Sequence, residues 1–195
     1  MTLRASTETR ILDAAEALFF RQGIASTSID AVLGLAGVSS ATLYRGFASK
    51  EALLAAALER RQREWIAVWD AAIARAGSDV DRLLAVFDAL DEFRAGEHGA
   101  RWCAFLGSAA EYPEPPAGLA AAVEEDTRAL RARLRGLARP LAGDGADALA
   151  DDLLLLLTGS LAMRLREPGH DAAAARRLAR GLVLGAERDG APAGR

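Results

Sequence analysis

Apolar residues in the first part of the chain recur at spacings of three and four. Ile11, Leu12, Ala15, Leu18 and Phe19 make one stripe that stops at Gly23. Such spacing marks the face of a helix turned toward a core. The same period continues through the rest of the sequence, where β-branched runs and strict alternation are scarce. The pattern predicts helices near residues 7–22, 28–35, 39–46, 49–75, 79–95, 101–110, 117–138, 146–166 and 171–187. Glycines and prolines fall between them, and Asp189 to Arg195 reads as a loose tail. The expected fold class is all-α, with about nine helices: a three-helix N-terminal domain over residues 1–48, then a helical domain over residues 49–195, with helix 49–75 linking the two.

The most informative stretch lies around the second and third helices. Thr27 or Ser28 is placed to cap the second, with Asp30 three residues after Thr27 as in a capping box. Ile29, Val32, Leu33 and Ala36 form its inward face. In Ala36-Gly37-Val38-Ser39, Gly37 supplies the left-handed backbone of a sharp turn, Val38 plugs the space between helices and Ser39 caps the next helix. Two short helices joined this way meet at a steep angle, as in a helix-turn-helix. The third helix turns Leu43 and Phe47 inward while Ser39, Ser40, Ala41 and Thr42 leave its opening turn slim. A helix meant only for packing would carry more bulk. One that enters the DNA major groove needs short side chains near its N-terminus so that its backbone can approach the bases. Tyr44 and Arg45 are placed to reach phosphates, and Lys50 adds charge and backbone amides near the start of the fourth helix.

Charge changes this picture only through its distribution. The chain carries a formal net charge of -3, which does not advertise a nucleic-acid binder, but the residues up to Arg63 carry +2 and the remainder -5. A mildly basic head on an acidic body fits DNA contact at one end. With 195 residues, 51% of them hydrophobic, the chain can bury a sizeable core. No apolar run of about eighteen residues occurs, and Glu8, Arg10 and Asp13 interrupt the first apolar stretch, so the expected location is the cytoplasm and no membrane partner is expected. Cys103 is the single cysteine and stands beside only His98 and His170, too few ligands for a structural zinc site, so no metal is expected.

At Thr27, Ala36-Gly37-Val38-Ser39, Leu43-Tyr44, Phe47 and Lys50, followed by Glu51-Ala52-Leu53-Leu54, the sequence resembles the TetR family of regulators. The resemblance covers roughly residues 7–60. Relatives often carry His or Tyr where this chain has Gly46, and many have Ala where it has Leu33. The resemblance implies a two-domain helical homodimer that binds a palindromic double-stranded DNA operator, represses transcription and is released by a small-molecule effector, with no cofactor. It implies that Tyr44 and Lys50 contact phosphate, that Thr27 contacts the DNA backbone at the start of its helix, and that Ser39, Ser40, Thr42 and Arg45 face the groove. The leucine run 153–157 with Thr158-Gly159-Ser160, and the segment 178–184 flanked by Gly181 and Gly185, look like the two helices of the family's dimer interface. Leu154, Leu157, Leu161, Gly181 and Gly185 are the interface candidates. Each glycine inside a helix costs about 1 kcal/mol relative to alanine, and close approach of another helix would compensate. That helix belongs to a second copy or to the same chain.

Trp102, Phe105 and Met163 are the candidates for an apolar effector site, chosen from a set that includes Trp65, Trp69, Phe87, Phe93 and Tyr112, all of which equally suit a plain core. Ser108, Glu111, Thr158 and Arg164 are polar positions able to orient a ligand, to cap or to bond backbone. Arg128, Arg131 and Arg135 read as an ordinary charged helix face, and Cys103 as a small buried hydrophobe. The parts of an enzyme are missing. The segment Gly143-Asp144-Gly145 follows no strand, so it makes no dinucleotide cradle, and Gly159-Ser160 lacks the flanking glycines of a nucleophile elbow. The competing reading is a helical ligand-binding adaptor without specific DNA binding.

Overall fold

The computed structural model describes residues 3–96, 103–112 and 114–190. Among them the regular structure is helical: α1 (Ala5–Gln22), α2 (Ile29–Ala36), α3 (Ser40–Gly46), α4 (Lys50–Arg75), α5 (Asp79–Ala95), α6 (Ala104–Glu111), α7 (Ala117–Ala142), a single 3-10 turn (Gly143–Gly145), α8 (Ala146–Arg166) and α9 (Ala173–Gly190). The chain is all-α, as the apolar period requires.

Contacts divide it into two compact units: Met1–Arg63 with Cys103–Asp126, and Glu64–Trp102 with Thr127–Arg195. The sequence places the boundary after residue 48. The first unit instead takes in the opening turns of α4, because Leu53, Leu54, Ala57 and Leu58 are all fully buried with Ile11, Phe19, Val32, Leu43 and Phe47. It also takes in α6 and the start of α7, whose Ala104, Phe105 and Leu119 join the same core. On α4, Arg60 ties back to α1, its Nε donating to Glu16 at 2.6 Å and its Nη1 lying 2.8 Å from Asp13.

The second unit has its own core of Trp65, Trp69, Leu83, Leu84, Phe87, Leu134, Leu149, Leu153, Leu157 and Val183. Its polar frame centres on α5. Asp91 accepts from Arg164 Nη2 at 2.9 Å and from the backbone N–H of Ala172 at 3.1 Å, so one carboxylate fixes both the end of α8 and the start of α9. Arg164 is 3% exposed, and burial pushes its pKa down despite that partner. Arg131 and Arg135 on α7 pair with Asp151 and Asp147 on α8, which makes that arginine row a salt-bridged surface.

Two helix ends differ from the sequence expectation. α7 runs on through Pro140 to Ala142. Proline clashes with the carbonyl four residues back, but that residue is Gly136, and both positions face solvent, where the carbonyl can tilt toward water. α9 continues to Gly190, past Asp189 where the tail is expected to start, and the rest of that segment, residues 191–195, lies outside the described residues.

Asp126 is the chief electrostatic liability of the first unit. It is 8% exposed, and burial pushes its carboxyl up to about 7, with a hydrogen bond from Gln62 pulling the other way. A carboxyl that binds its proton more tightly when folded stabilises the protein as pH falls, and its cost to folding is complete once pH rises above about 7. From an ordinary value of 3.8, that cost is on the order of 4 kcal/mol. Replacing Asp126 by Asn should therefore raise stability at pH 8 and do little at pH 4. Urea midpoints of both proteins across that window test it, and parallel curves would mean that Asp126 keeps an ordinary pKa.

Candidate nucleic-acid interface

The turn between α2 and α3 forms as its residues dictate. Gly37 sits at φ 62° and ψ 41°, left-handed geometry that closes α2, and its N–H donates to the Leu33 carbonyl. Ser39 then caps α3, its hydroxyl accepting from the Thr42 N–H at 3.3 Å and lying 2.9 Å from the Thr42 hydroxyl. Of the two capping candidates for α2, the structure uses Ser28, whose Oγ accepts from Ala31 N–H at 3.1 Å.

α3 has one face for the core and one for solvent. Leu43 is fully buried and Phe47 is 7% exposed, while Ser39, Ser40, Ala41, Tyr44 and Arg45 are exposed and Thr42 is half-buried. Tyr44, at 50% exposure, is large and partly apolar yet has no place in the core. The predicted reading residues are thus brought together on one open edge.

Thr27 and Lys50 are not on that edge in the same way. Thr27 is 3% exposed, and its hydroxyl donates to the Gly23 carbonyl at 2.7 Å, inside the loop that joins α1 to α2. Lys50 is half-buried; its ammonium donates to the Ile24 carbonyl at 2.5 Å and lies 5.9 Å from the centre of the Phe19 ring. Both hold the loop in place.

The third holder of this loop carries no sequence signal for that role. Glu111, at the end of α6, accepts from the backbone N–H of Ile24 at 3.1 Å through Oε1 and of Ala25 at 2.7 Å through Oε2. Two amides that would otherwise go unpaired are satisfied by one carboxylate from 86 residues away. Gly23 beside it is required by its backbone, at a φ of 103° that L side chains rarely adopt. Glu111 is therefore spent on the backbone. Ser108 bonds its own helix, donating to the Ala104 carbonyl at 2.8 Å.

The other predicted sets fare differently. Leu157 is 2% exposed and belongs to the core of its own chain, which corrects its assignment to an interface; Leu154 and Leu161 are partly buried against that core. The outward side of α8 carries Leu155, 72% exposed, with Gly159 and Ala162. On α9, Leu178 and Leu182 are exposed beside Gly181, and a Cβ at Gly181 or Gly185 would meet nothing within 4 Å. Among the described residues, nothing of the same chain packs against those two positions. Trp102 lies outside the described residues. Phe105, 9% exposed, is core of the first unit, and Met163 is half-buried on α8 in the second. Trp69 and Phe87 are fully buried, and Trp65 stacks on Trp69 with ring centres 5.7 Å apart, so these aromatics are core. Burial raises the Cys103 pKa, which disfavours the thiolate. Among the described residues no cluster of His, Cys, Asp and Glu is able to hold a metal ion.

A short capped helix shown edge-on by a packed helical core defines a helix-turn-helix of the DNA-binding kind. Comparison with known proteins agrees with that class. The sequence model for bacterial regulatory proteins of the tetR family matches residues 11–57. An uncharacterised HTH-type transcriptional regulator of Mycobacterium tuberculosis is 50% identical over 54 residues, 28% of this chain and 27% of that protein. The match to this curated relative thus spans about a quarter of its length. Over the whole chain, the fold is similar to a TetR-family transcriptional regulator from Streptomyces coelicolor, with a TM-score of 0.81 and 26% identity, covering 96% of this chain and 91% of that one. A TetR-family regulator from Agrobacterium tumefaciens shares the fold alone, with a TM-score of 0.75 and 21% identity over 92% and 96% of the two chains. Residues 11–57 thus match the tetR-family model, and the whole chain shares the fold of TetR-family transcriptional regulators.

Glu111→Gln keeps the shape of the side chain but turns one acceptor into a donor. Amide hydrogen exchange at Ile24 and Ala25 should accelerate roughly tenfold, the loss of about one charge-assisted hydrogen bond. Unchanged exchange at both amides would mean that Thr27 and Lys50 hold the loop without it.

Proposed function

We propose that this protein is a ligand-responsive repressor that binds a palindromic operator as a homodimer. The observation that carries the reading is the open edge of α3, where Ser39, Ser40, Ala41, Tyr44 and Arg45 are exposed over a core closed by Leu43 and Phe47. Ser39, Ser40 and Thr42 face base edges in the major groove, and Tyr44 and Arg45 reach the flanking phosphates. Lys50 spends one N–H on Ile24 and directs the others to a phosphate, while Thr27 acts from inside by fixing the start of α2.

A palindromic site calls for two-fold symmetry in the protein, and the surface for it is the apolar stripe of α8 and α9. Exposed leucines set among glycines let two helix pairs approach closely, and a four-helix bundle about a two-fold axis buries what one chain leaves open. The two reading helices then address half-sites roughly 34–36 Å apart. Release by a small-molecule effector works by favouring a different spacing between them, the pattern of the family. Among the described residues no helix is long and apolar enough to cross a membrane, which fits work on DNA in the cytoplasm.

Two measurements test the reading on a duplex selected by this protein from random sequence. Arg45→Ala should lower the slope of log K against log salt by about 0.9 per protomer, whereas Tyr44→Phe should weaken binding with the slope intact, since a phenol releases no counterion. An unchanged affinity in both variants would remove α3 from the interface. Separately, Leu178→Glu with Leu182→Glu should yield a monomer by ultracentrifugation and cut operator affinity roughly 100-fold or more, while helix content stays the same. A persisting dimer would place the interface elsewhere.

A further inference from the structure

The N-terminal end of the described chain departs from what a helix start favours. α1 begins after Arg4, whose carbonyl accepts from the N–H groups of Thr7 and Glu8 at 2.9 and 3.0 Å. Arg4 thus stands at the N-cap, with extended backbone at φ -70° and ψ 139°, and its side chain makes no capping bond. That position favours Ser, Thr, Asp or Asn, and the positive end of the helix dipole disfavours a cation there. Arg4 is exposed, and among the described residues it has no ion pair and no side-chain hydrogen bond. A local rule broken without structural return points to a role outside the fold.

Leu3 shows where Arg4 is held. Its side chain packs on the core of the first unit and fills the space beside Gly46, where a Cβ would overlap its Cδ1 and stand 2.9 Å from its Cγ. Ser39, Thr42 and Gly46 recur at spacings of three and four, so they share one stripe of α3. The first two are the proposed base-facing residues, and the third is the seat for Leu3. The extended segment at residues 3 and 4 therefore crosses the C-terminal end of the reading stripe. In a helix-turn-helix, base contacts come from the N-terminal part of the recognition helix, so a group added at the other end meets the sugar-phosphate backbone.

We propose that Arg4 is a phosphate-binding residue, positioned by seating Leu3 against Gly46, and that the missing side chain at position 46 exists to admit this arm. The proposal rests on the DNA-binding reading above. It explains why an aromatic or histidine side chain before Phe47 would be a poor choice in this chain: the space is already used.

The test measures salt-dependent binding of the full chain to the selected duplex, together with thermal stability. Arg4→Ser should lower the salt slope by about 0.9 per protomer and weaken binding several-fold at physiological salt. The same variant should raise the melting midpoint by about 2 °C, because serine supplies the absent cap. A residue with a purely structural role would not move affinity and stability in opposite directions. Arg4→Lys should restore the slope. Gly46→Met, a helix-compatible side chain that occupies the seat, should reproduce the loss of slope. If the wild-type protein binds the duplex with an unchanged slope in Arg4→Ser, the contact is overturned and the α3 reading stands. Loss of slope in Arg4→Ser but not in Gly46→Met overturns the seat. Failure of the wild-type protein to bind any selected duplex overturns the DNA-binding reading and this proposal with it.

Discussion

A helix of seven residues does not hold together in water, because the cost of nucleating it is recovered only over a dozen or more. α3 exists because Leu43 and Phe47 are buried in a core supplied by other helices, and because Gly37 and Ser39 fix its entry. The solvent face of α3 is then relieved of any duty to stabilise the fold. Its side chains are free to be small where a close approach is needed and polar or charged at the margin. Display of the reading edge depends on that division of labour, and the rest of the first unit serves to keep it.

The same logic explains why the first unit extends beyond the helix-turn-helix itself. The loop between α1 and α2 has backbone groups that no helix satisfies, and it is gripped by three side chains: Thr27 from within, Lys50 from α4 and Glu111 from α6. Each removes freedom from the segment that sets where α2 begins, and α2 sets the turn into α3. Glu111 makes α6 a structural member of the unit that displays α3. A change in α6 therefore has a direct covalent and hydrogen-bonded path to the start of α2, without passing through the apolar core.

How much of this was legible in sequence follows from the range of the interactions. The turn was legible because its causes are local: a glycine for left-handed backbone, a serine for the cap, and apolar residues four apart. The outward stripe of α8 was not, because a run of five leucines covers every side of a helix with 3.6 residues per turn. Periodicity finds a face only where polar residues interrupt it, so it does not separate buried Leu157 from exposed Leu155, and the resemblance alone does not choose between them. The glycines on α9 were informative for the opposite reason, since their cost to the helix is visible without knowing the partner. Glu111 was visible only as a polar residue at a helix end, because its partners lie 86 and 87 residues away. The seat at Gly46 was visible as a departure from relatives, but its occupant, Leu3, sits some forty positions earlier and only coordinates connect them.

For a chain of net -3 to bind a polyanion, as proposed, attraction cannot come from the whole molecule and must come from where individual charges are left unneutralised. Most arginines are spent internally. Arg60 is held by Glu16 and Asp13, Arg131 and Arg135 by aspartates on α8, Arg164 by Asp91, and Arg176 by Asp88. These pairs cancel at short range and project little field beyond a Debye length of about 8 Å. Arg45 and Arg4 have no such partner among the described residues, and both are fixed to α3 or its immediate neighbour. On the proposed DNA-binding reading, affinity is therefore governed less by how many basic residues the chain has than by which of them the fold leaves unpaired beside α3.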